Sequence, residues 1–397
     1  MSSAGTANVA ALRAAAARAM GTGAVASARD LLEQAVRIDG SDLGLWMDLA
    51  ACRRGMQDLA GALEAVQAAL AIEPRAYMAL LMKATLLERT GAPHQAGEAY
   101  GIALTQVPPV DRLPPQARAA TEHAREVHAR YQAAMAGALL DGVGPMKARA
   151  SGPDARRMQA FVDQLSGRRK VYHQAPVQFH YPNLPEIEFL DREDTPWLAD
   201  FEARTPDIIE ELAGVLREDA GQLEPYVDYP PGTPLDQWAE LNRSPRWSGY
   251  HLLLNGERVE EHCRRCPRTL DAIAMLPQPR VAGRSPAAMF SVLQPRTRIP
   301  PHHGISNTRL VLHLPLVVPP DCGFRVGNET RQWKVGEAWV FDDTIEHEAW
   351  NNSDQVRTIL ICDLWNPRLS EDERAMIAQV MAAMDDFAGV RPGGDGL

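Results

Sequence analysis

Residues 7–108 repeat themselves every 34 residues. Ala16, Ala50 and Ala84 share one position of the repeat, Ala28, Ala62 and Ala96 a second, and Ala35, Ala69 and Ala103 a third. The breakers Gly40, Pro74 and Pro108 recur at the same interval, as do the large residues Leu12, Trp46 and Leu80. A unit this short cannot bury an apolar face alone, so it must stack on its neighbours. Ala, Leu, Glu, Gln and Arg dominate the stretch, which makes each unit helical. Small residues recur where two helices cross closely, large ones fill the gaps, and Gly or Pro ends each unit.

This pattern resembles the tetratricopeptide repeat, with three units at 7–40, 41–74 and 75–108. The resemblance implies a stack of helix pairs whose concave face takes an extended peptide or a partner protein. Residues 109–167 read as capping and linking helices. Pro114-Pro115 opens the first, and Gly142-Val143-Gly144-Pro145 separates it from the next. A repeat stack needs such ends.

With 397 residues the chain is long enough for two or three domains. A hydrophobic content of 45% with 23% charged residues fits soluble globular domains. No run reaches the roughly 18 apolar residues a membrane helix requires. Met1 to Ala11 has neither a basic start nor an apolar core, so no signal peptide and a cytoplasmic protein are expected. Five scattered cysteines form no disulfide framework. A net charge of −10 argues against nucleic-acid binding, yet leaves room for a small anion held by local arginines.

From about 168 the Ala-rich texture stops. Residues 193–219 look helical, and short strands are expected at 249–254, 288–293, 308–317, 323–327, 337–341, 346–350 and 356–363. Short strands at close spacing predict an antiparallel sandwich or barrel over 168–388. A last helix is expected near 369–387, opened by a capping box at Ser370 and Glu373. The tail, 389–397, reads as disordered. The expected architecture is therefore multidomain, α plus β.

His302, His303, His313 and His347 fall in this β-rich part. Oxygen-activating iron(II) enzymes often use two histidines and a carboxylate, the first histidine in an H-x-D/E group. Here the group reads His302-His303-Gly304, with glycine at the carboxylate position. Adjacent residues on a strand point to opposite faces, so one of the pair can serve, and first principles alone do not separate them.

The wider string is more specific. It runs Pro301-His302-His303-Gly304, Asn307-Thr308-Arg309-Leu310, His313-Leu314, Gly327-Asn328-Glu329-Thr330, Gly336-Glu337, Phe341-Asp342-Asp343, Glu346-His347-Glu348-Ala349-Trp350, Arg357 and Asp363-Leu364-Trp365-Asn366-Pro367. Its order and spacing resemble the aspartyl/asparaginyl β-hydroxylase family, densely over 288–367 and more weakly back to about 170. The resemblance implies a double-stranded β-helix of the jelly-roll or cupin type and an Fe(II)- and 2-oxoglutarate-dependent dioxygenase. It further implies a two-histidine iron site with glycine in place of the carboxylate. Carried over, His302 and His347 are the iron ligands, and Arg357 grips the far carboxylate of 2-oxoglutarate with Ser291. His313 donates to the other carboxylate, and Trp247 lines the pocket. The expected reaction is hydroxylation of an Asp or Asn β-carbon, in a peptide or protein brought in by the repeats, or in a free amino acid.

One departure touches the anion pocket. Animal members carry an arginine two residues before the cosubstrate histidine, where this chain has Val311, with Arg309 further back. Asp342 and Asp343 read as a turn before His347. His262-Cys263-Arg264-Arg265-Cys266 offers at most three zinc ligands and reads as structural. Arg296 and Arg298 fit either the approach of an anionic substrate or an ordinary rim. The competing functions are hydroxylation of a lipid or other small molecule, halogenation at the vacant carboxylate position, and a non-catalytic adaptor with a ligand-binding barrel. Substrate and oligomeric state are not legible.

Overall fold

The computed structural model describes residues 3–109, 111, 113, 115–147, 149 and 152–389. It divides into two compact units, the first ending at Arg169 and the second beginning at Lys170.

The first unit is helical. α1 (Ser3–Gly21) precedes α2 (Val25–Ile38), α3 (Leu43–Gly55) precedes α4 (Leu59–Ile72), and α5 (Tyr77–Arg89) precedes α6 (Pro93–Leu104). Each 34-residue unit is thus one helix pair. All nine register alanines are buried, as close helix crossing requires. Among the large residues, Leu80 is buried, while Leu12 and Trp46 pack half-exposed against the core. Asp42 and Asp58 cap α3 and α4 by accepting from Gly44 and Gly61 backbone N–H groups. Within α7 (Pro115–Lys147) two helices join across a kink that falls inside the expected Gly142–Pro145 separator. The kink is at Gly144, whose φ of 35° and ψ of −121° are not helical. α8 (Gly152–Leu165) follows. Position 114, the expected opening of α7, lies outside the described residues.

The second unit begins with two short helices, α9 (Leu198–Glu202) and α10 (Thr205–Glu218), where the sequence predicted one stretch. Its strands and helices then run β1 (Glu224–Pro225), β2 (Trp247–Leu254), β3 (Glu257–Arg258), α11 (Glu260–Arg265), α12 (Pro267–Ile273) and β4 (Ala288–Leu293). β5 (Thr297–His302), β6 (Arg309–Val317), β7 (Cys322–Val326), β8 (Glu329–Arg331), β9 (Trp339–Phe341), β10 (His347–Asn351), β11 (Arg357–Trp365) and α13 (Glu371–Ala388) complete it. The Ser370–Glu373 capping box opens α13, and Gly389, at φ 63°, closes it rather than beginning a tail. The rest of the expected tail lies outside the described residues.

The strands form two antiparallel sheets. The larger has the order β1-β2-β4-β11-β6-β9 with β3 on β2, and the smaller the order β5-β10-β7-β8. Alternation along the central strands explains the layers. Leu310, Leu312 and Leu314 of β6 and Leu360, Cys362 and Leu364 of β11 join Leu198, Phe201, Ile208 and Leu212 in a core under the helices. Val311 and Ile359, on the opposite face, share a second core with Ile299, Phe324, Val326 and Ala349 of the smaller sheet. Burial on both faces makes β6 and β11 continuous apolar runs rather than alternating ones. The site lies between the sheets.

β5 is absent from the sequence-based expectation because Pro300 and Pro301 sit inside it. It pairs only with β10, at the edge of its sheet. An edge position tolerates prolines that donate no ladder hydrogen bond. Among the described residues no helix is long and apolar enough to cross a membrane.

Candidate functional site

β5 and β10 lie side by side with His302 and His347 as direct partners, and the ladder shifts register just after His347. The two rings come within 4.0 Å, centroid to centroid. Each Nδ1 is engaged by a backbone carbonyl: His302 with Pro300 at 2.8 Å and His347 with Ile345 at 3.1 Å. A ring that donates through Nδ1 carries its lone pair on Nε2, the form that ligates metal. Burial, partly offset for His302 by the Pro300 carbonyl, depresses His302 to about 4; burial and the neighbouring His302 hold His347 well below its ordinary value. Both rings are therefore neutral at pH 7. Of the adjacent histidines, His302 is the one whose ring meets His347.

Gly304 follows at once and packs against the Asp343 carboxyl. Its N–H donates to the Asp343 carbonyl at 2.6 Å, and its own carbonyl accepts from Val177 N–H at 2.9 Å. Asp343 is buried and pairs with Arg309 at 3.3 Å, while Arg309 also holds Asp363 at 2.8 Å. Burial pushes Asp343 up to about 7 against the pull of Arg309. Asp342 and Asp343 do form a turn. Asp343 is also part of a buried ion cluster beside Gly304, which turn chemistry does not reveal.

Arg357 opens β11 and is 1% exposed. Its Nε and Nη1 have no hydrogen-bond partner. Burial lowers it to about 10, so it stays charged at neutral pH. Its guanidinium lies 4.7 Å from the centre of the Trp333 ring. His313 is buried beside Phe324, with ring centroids 5.0 Å apart, and its Nδ1 has no partner. Burial and the charge of Arg357 hold it neutral. Ser291 Oγ accepts from Trp247 Nε1 at 3.1 Å, which leaves the serine proton free to be donated onward.

A segment the sequence did not single out covers this region. Tyr226 stacks on Trp247 at 3.8 Å, and Trp238 meets the His302 ring edge-on at 5.1 Å. Trp238, Tyr226, Trp333 and Phe324 were missed because their packing partners are distant in sequence. The other candidates fall elsewhere. Arg298 pairs with Glu348 and Arg296 with Asp354, both arginines exposed at the rim. His262 bonds the His251 carbonyl, and Cys263 the Leu252 carbonyl. Among the described residues no group of three or more His, Cys, Asp or Glu side chains is placed to hold a metal. The paired imidazoles are what the described residues offer, and neutral imidazole nitrogen is a ligand type that suits zinc, copper, iron and nickel.

Residues 202–367 match the family described as aspartyl/asparaginyl beta-hydroxylase. Over that stretch the second unit is similar to that family. The human aspartyl/asparaginyl beta-hydroxylase is 33% identical over 155 residues, covering 39% of this chain and 20% of the human protein. The ornithine lipid ester-linked acyl 2-hydroxylase of Rhizobium tropici is also 33% identical, over 194 residues, 48% of this chain and 65% of that protein. The chain thus spans a fifth of the human relative and just under two thirds of the bacterial one. The Arabidopsis OM64 TPR domain is similar at 16% identity and a TM-score of 0.28, over 31% of this chain and 98% of that domain.

Proposed function

We propose that the hydroxylase-family unit is an Fe(II)- and 2-oxoglutarate-dependent dioxygenase that hydroxylates an Asp or Asn side chain, on a double-stranded β-helix built from the two sheets. One observation carries this reading: a buried, charged guanidinium with two unbonded nitrogens lies close to His313, which is also close to His302 of the neutral imidazole pair. A buried charge without a partner is costly unless a ligand supplies the counter-charge.

His302 and His347 would hold the iron through Nε2. Bound there, iron(II) with 2-oxoglutarate and O₂ supplies the oxidising power for C–H hydroxylation, with succinate and CO₂ as co-products. Arg357 takes the far carboxylate of the acid, its planar fork matched to two oxygens. Ser291, relieved of acceptor duty by Trp247, donates to the same carboxylate. His313, neutral, offers one N–H to the other end. Phe324, Phe341 and Trp247 keep water from this volume, which strengthens each polar contact inside it. The repeats of the first unit would recruit a peptide or protein substrate.

The test uses the full chain with iron(II), 2-oxoglutarate and candidate Asp- or Asn-containing peptides, with succinate and an added oxygen on the peptide as readouts. His302→Ala or His347→Ala should abolish metal-dependent turnover, and Arg357→Ala should mainly raise the 2-oxoglutarate requirement. Normal turnover in both histidine variants defeats the ligand assignment. The likeness to the Rhizobium lipid hydroxylase favours a second reading, in which the substrate is a lipid acyl chain. Mass spectrometry of peptide and lipid fractions after turnover separates the two.

A further inference from the structure

The two buried arginines between the sheets are not equivalent. Arg309 is saturated by Asp343 and Asp363. Arg357 has no carboxylate partner among the described residues, and its unbonded Nε and Nη1 are sealed from solvent. Two more buried polar atoms close by are also unbonded: His313 Nδ1 and Trp333 Nε1. The Trp333 ring lies under the Arg357 guanidinium at 4.7 Å and 6.3 Å from the His313 ring. It is 6% exposed and packs against both Phe324 and Trp339, at 5.6 and 5.8 Å. Buried polar groups are satisfied in the great majority of cases, and an indole N–H can only donate. Arg357 and Trp333, whose nitrogens can only donate, lack the same thing, an acceptor, and for the uncompensated guanidinium one that carries negative charge.

We infer that Trp333 is a ligand-contacting residue of this site, its indole N–H donating to the carboxylate that Arg357 binds. The inference rests on the proposed function for the identity of the acid, a small dicarboxylate of the 2-oxoglutarate class. A carboxylate has lone-pair sites enough to accept from a guanidinium and an indole together. Neutral donation fits a site with one uncompensated cation, since Val311 is apolar and packs in the inter-sheet core. The face contact has a second effect. An aromatic neighbour holds the guanidinium in place by cation–π attraction without neutralising it, as a carboxylate would.

The experiment is calorimetric titration of 2-oxoglutarate into the full chain loaded with redox-silent Mn(II), for the parent and W333F. Phenylalanine keeps the aromatic face and removes the donor. A charge-assisted hydrogen bond lost at this site weakens binding on the order of ten-fold, with Mn(II) affinity unchanged. In the Zn(II) form, labelled with ¹⁵N-tryptophan, the indole resonance missing from W333F should move downfield when 2-oxoglutarate is added to the parent. W333M supplies the assignment if W333F does not fold. A parent that binds the acid while W333F binds it equally well, or a Trp333 resonance that stays put, overturns the assignment alone. A parent that binds no 2-oxoglutarate removes the underlying reading of the site and this inference with it.

Discussion

Placing a methyl group on Gly304 probes its packing against the buried Asp343 carboxyl. A Cβ there would overlap all three atoms of the Asp343 carboxyl, the most distant of them, Oδ1, at 2.5 Å. Neither partner is free to yield. The Gly304 backbone is tied on both sides, to Asp343 and to Val177. The Asp343 carboxyl is buried against Arg309. Relief comes either from a backbone shift, which overpacking places at about 1–3 kcal/mol, or from swinging Asp343 off Arg309, which for a buried pair costs about 3–5 kcal/mol. Arg309 keeps Asp363 in the second case. Gly304→Ala should therefore destabilise the unit by about 2–4 kcal/mol and lower its melting temperature by roughly 5–15 °C. Seven of the eight tryptophans lie beyond residue 170, so tryptophan fluorescence follows this unit. Asp343→Ala placed on Gly304→Ala should recover much of the loss, giving a coupling well outside simple additivity. Gly304→Asp should not supply a third metal ligand, because its side chain meets the same obstacle. A Gly304→Ala protein that melts with the parent, or a strictly additive double variant, refutes this account.

Three further outcomes follow from the geometry. The imidazoles of His302, His347 and His313 are all depressed below their unfolded value, so the unfolded chain takes up their protons first. Their contribution to the stability of the metal-free protein should be full above about pH 6.5 and fall as the pH drops toward 4, opposite in sign to that of the raised Asp343 carboxyl; the change in urea midpoint between pH 7 and pH 5, parent against His302→Ala, isolates it, and an equal pH dependence in the two would contradict it. Ala62 is fully buried at a helix crossing, and Ala62→Leu should cost the first unit about 1–3 kcal/mol by far-ultraviolet circular dichroism melting. Ser370→Ala removes the α13 cap and should cost about 1 kcal/mol; an unchanged denaturant midpoint would show that the cap is idle.

The parts of this protein legible in the sequence are those whose partners lie near each other or recur at a fixed interval. The 34-residue period yields the three helix pairs because each alanine crossing is repeated in the next unit. The Ser370–Glu373 box marks α13 because both residues lie within one helical turn. Most strands of the second unit announce themselves as short apolar runs between turns, with ends displaced by a residue or two. β5 does not, because prolines disguise an edge strand, whereas the interruption of α7 is marked by the glycine at 144 itself.

Order along the chain named the candidate side chains; it could not say which of them meet. That His302 rather than His303 faces His347 is decided by the β5–β10 register. That Arg309 is neutralised and Arg357 is not depends on Asp343 and Asp363 arriving from two other segments. Trp333 and Trp238 carry no local signal, since an aromatic residue in a loop owes its surroundings to strands dozens of residues away. Sequence fixes what interacts within a turn or a repeat, where chain connectivity sets the distance. Contacts between sheets are set by packing alone, and there the tertiary structure has the only say.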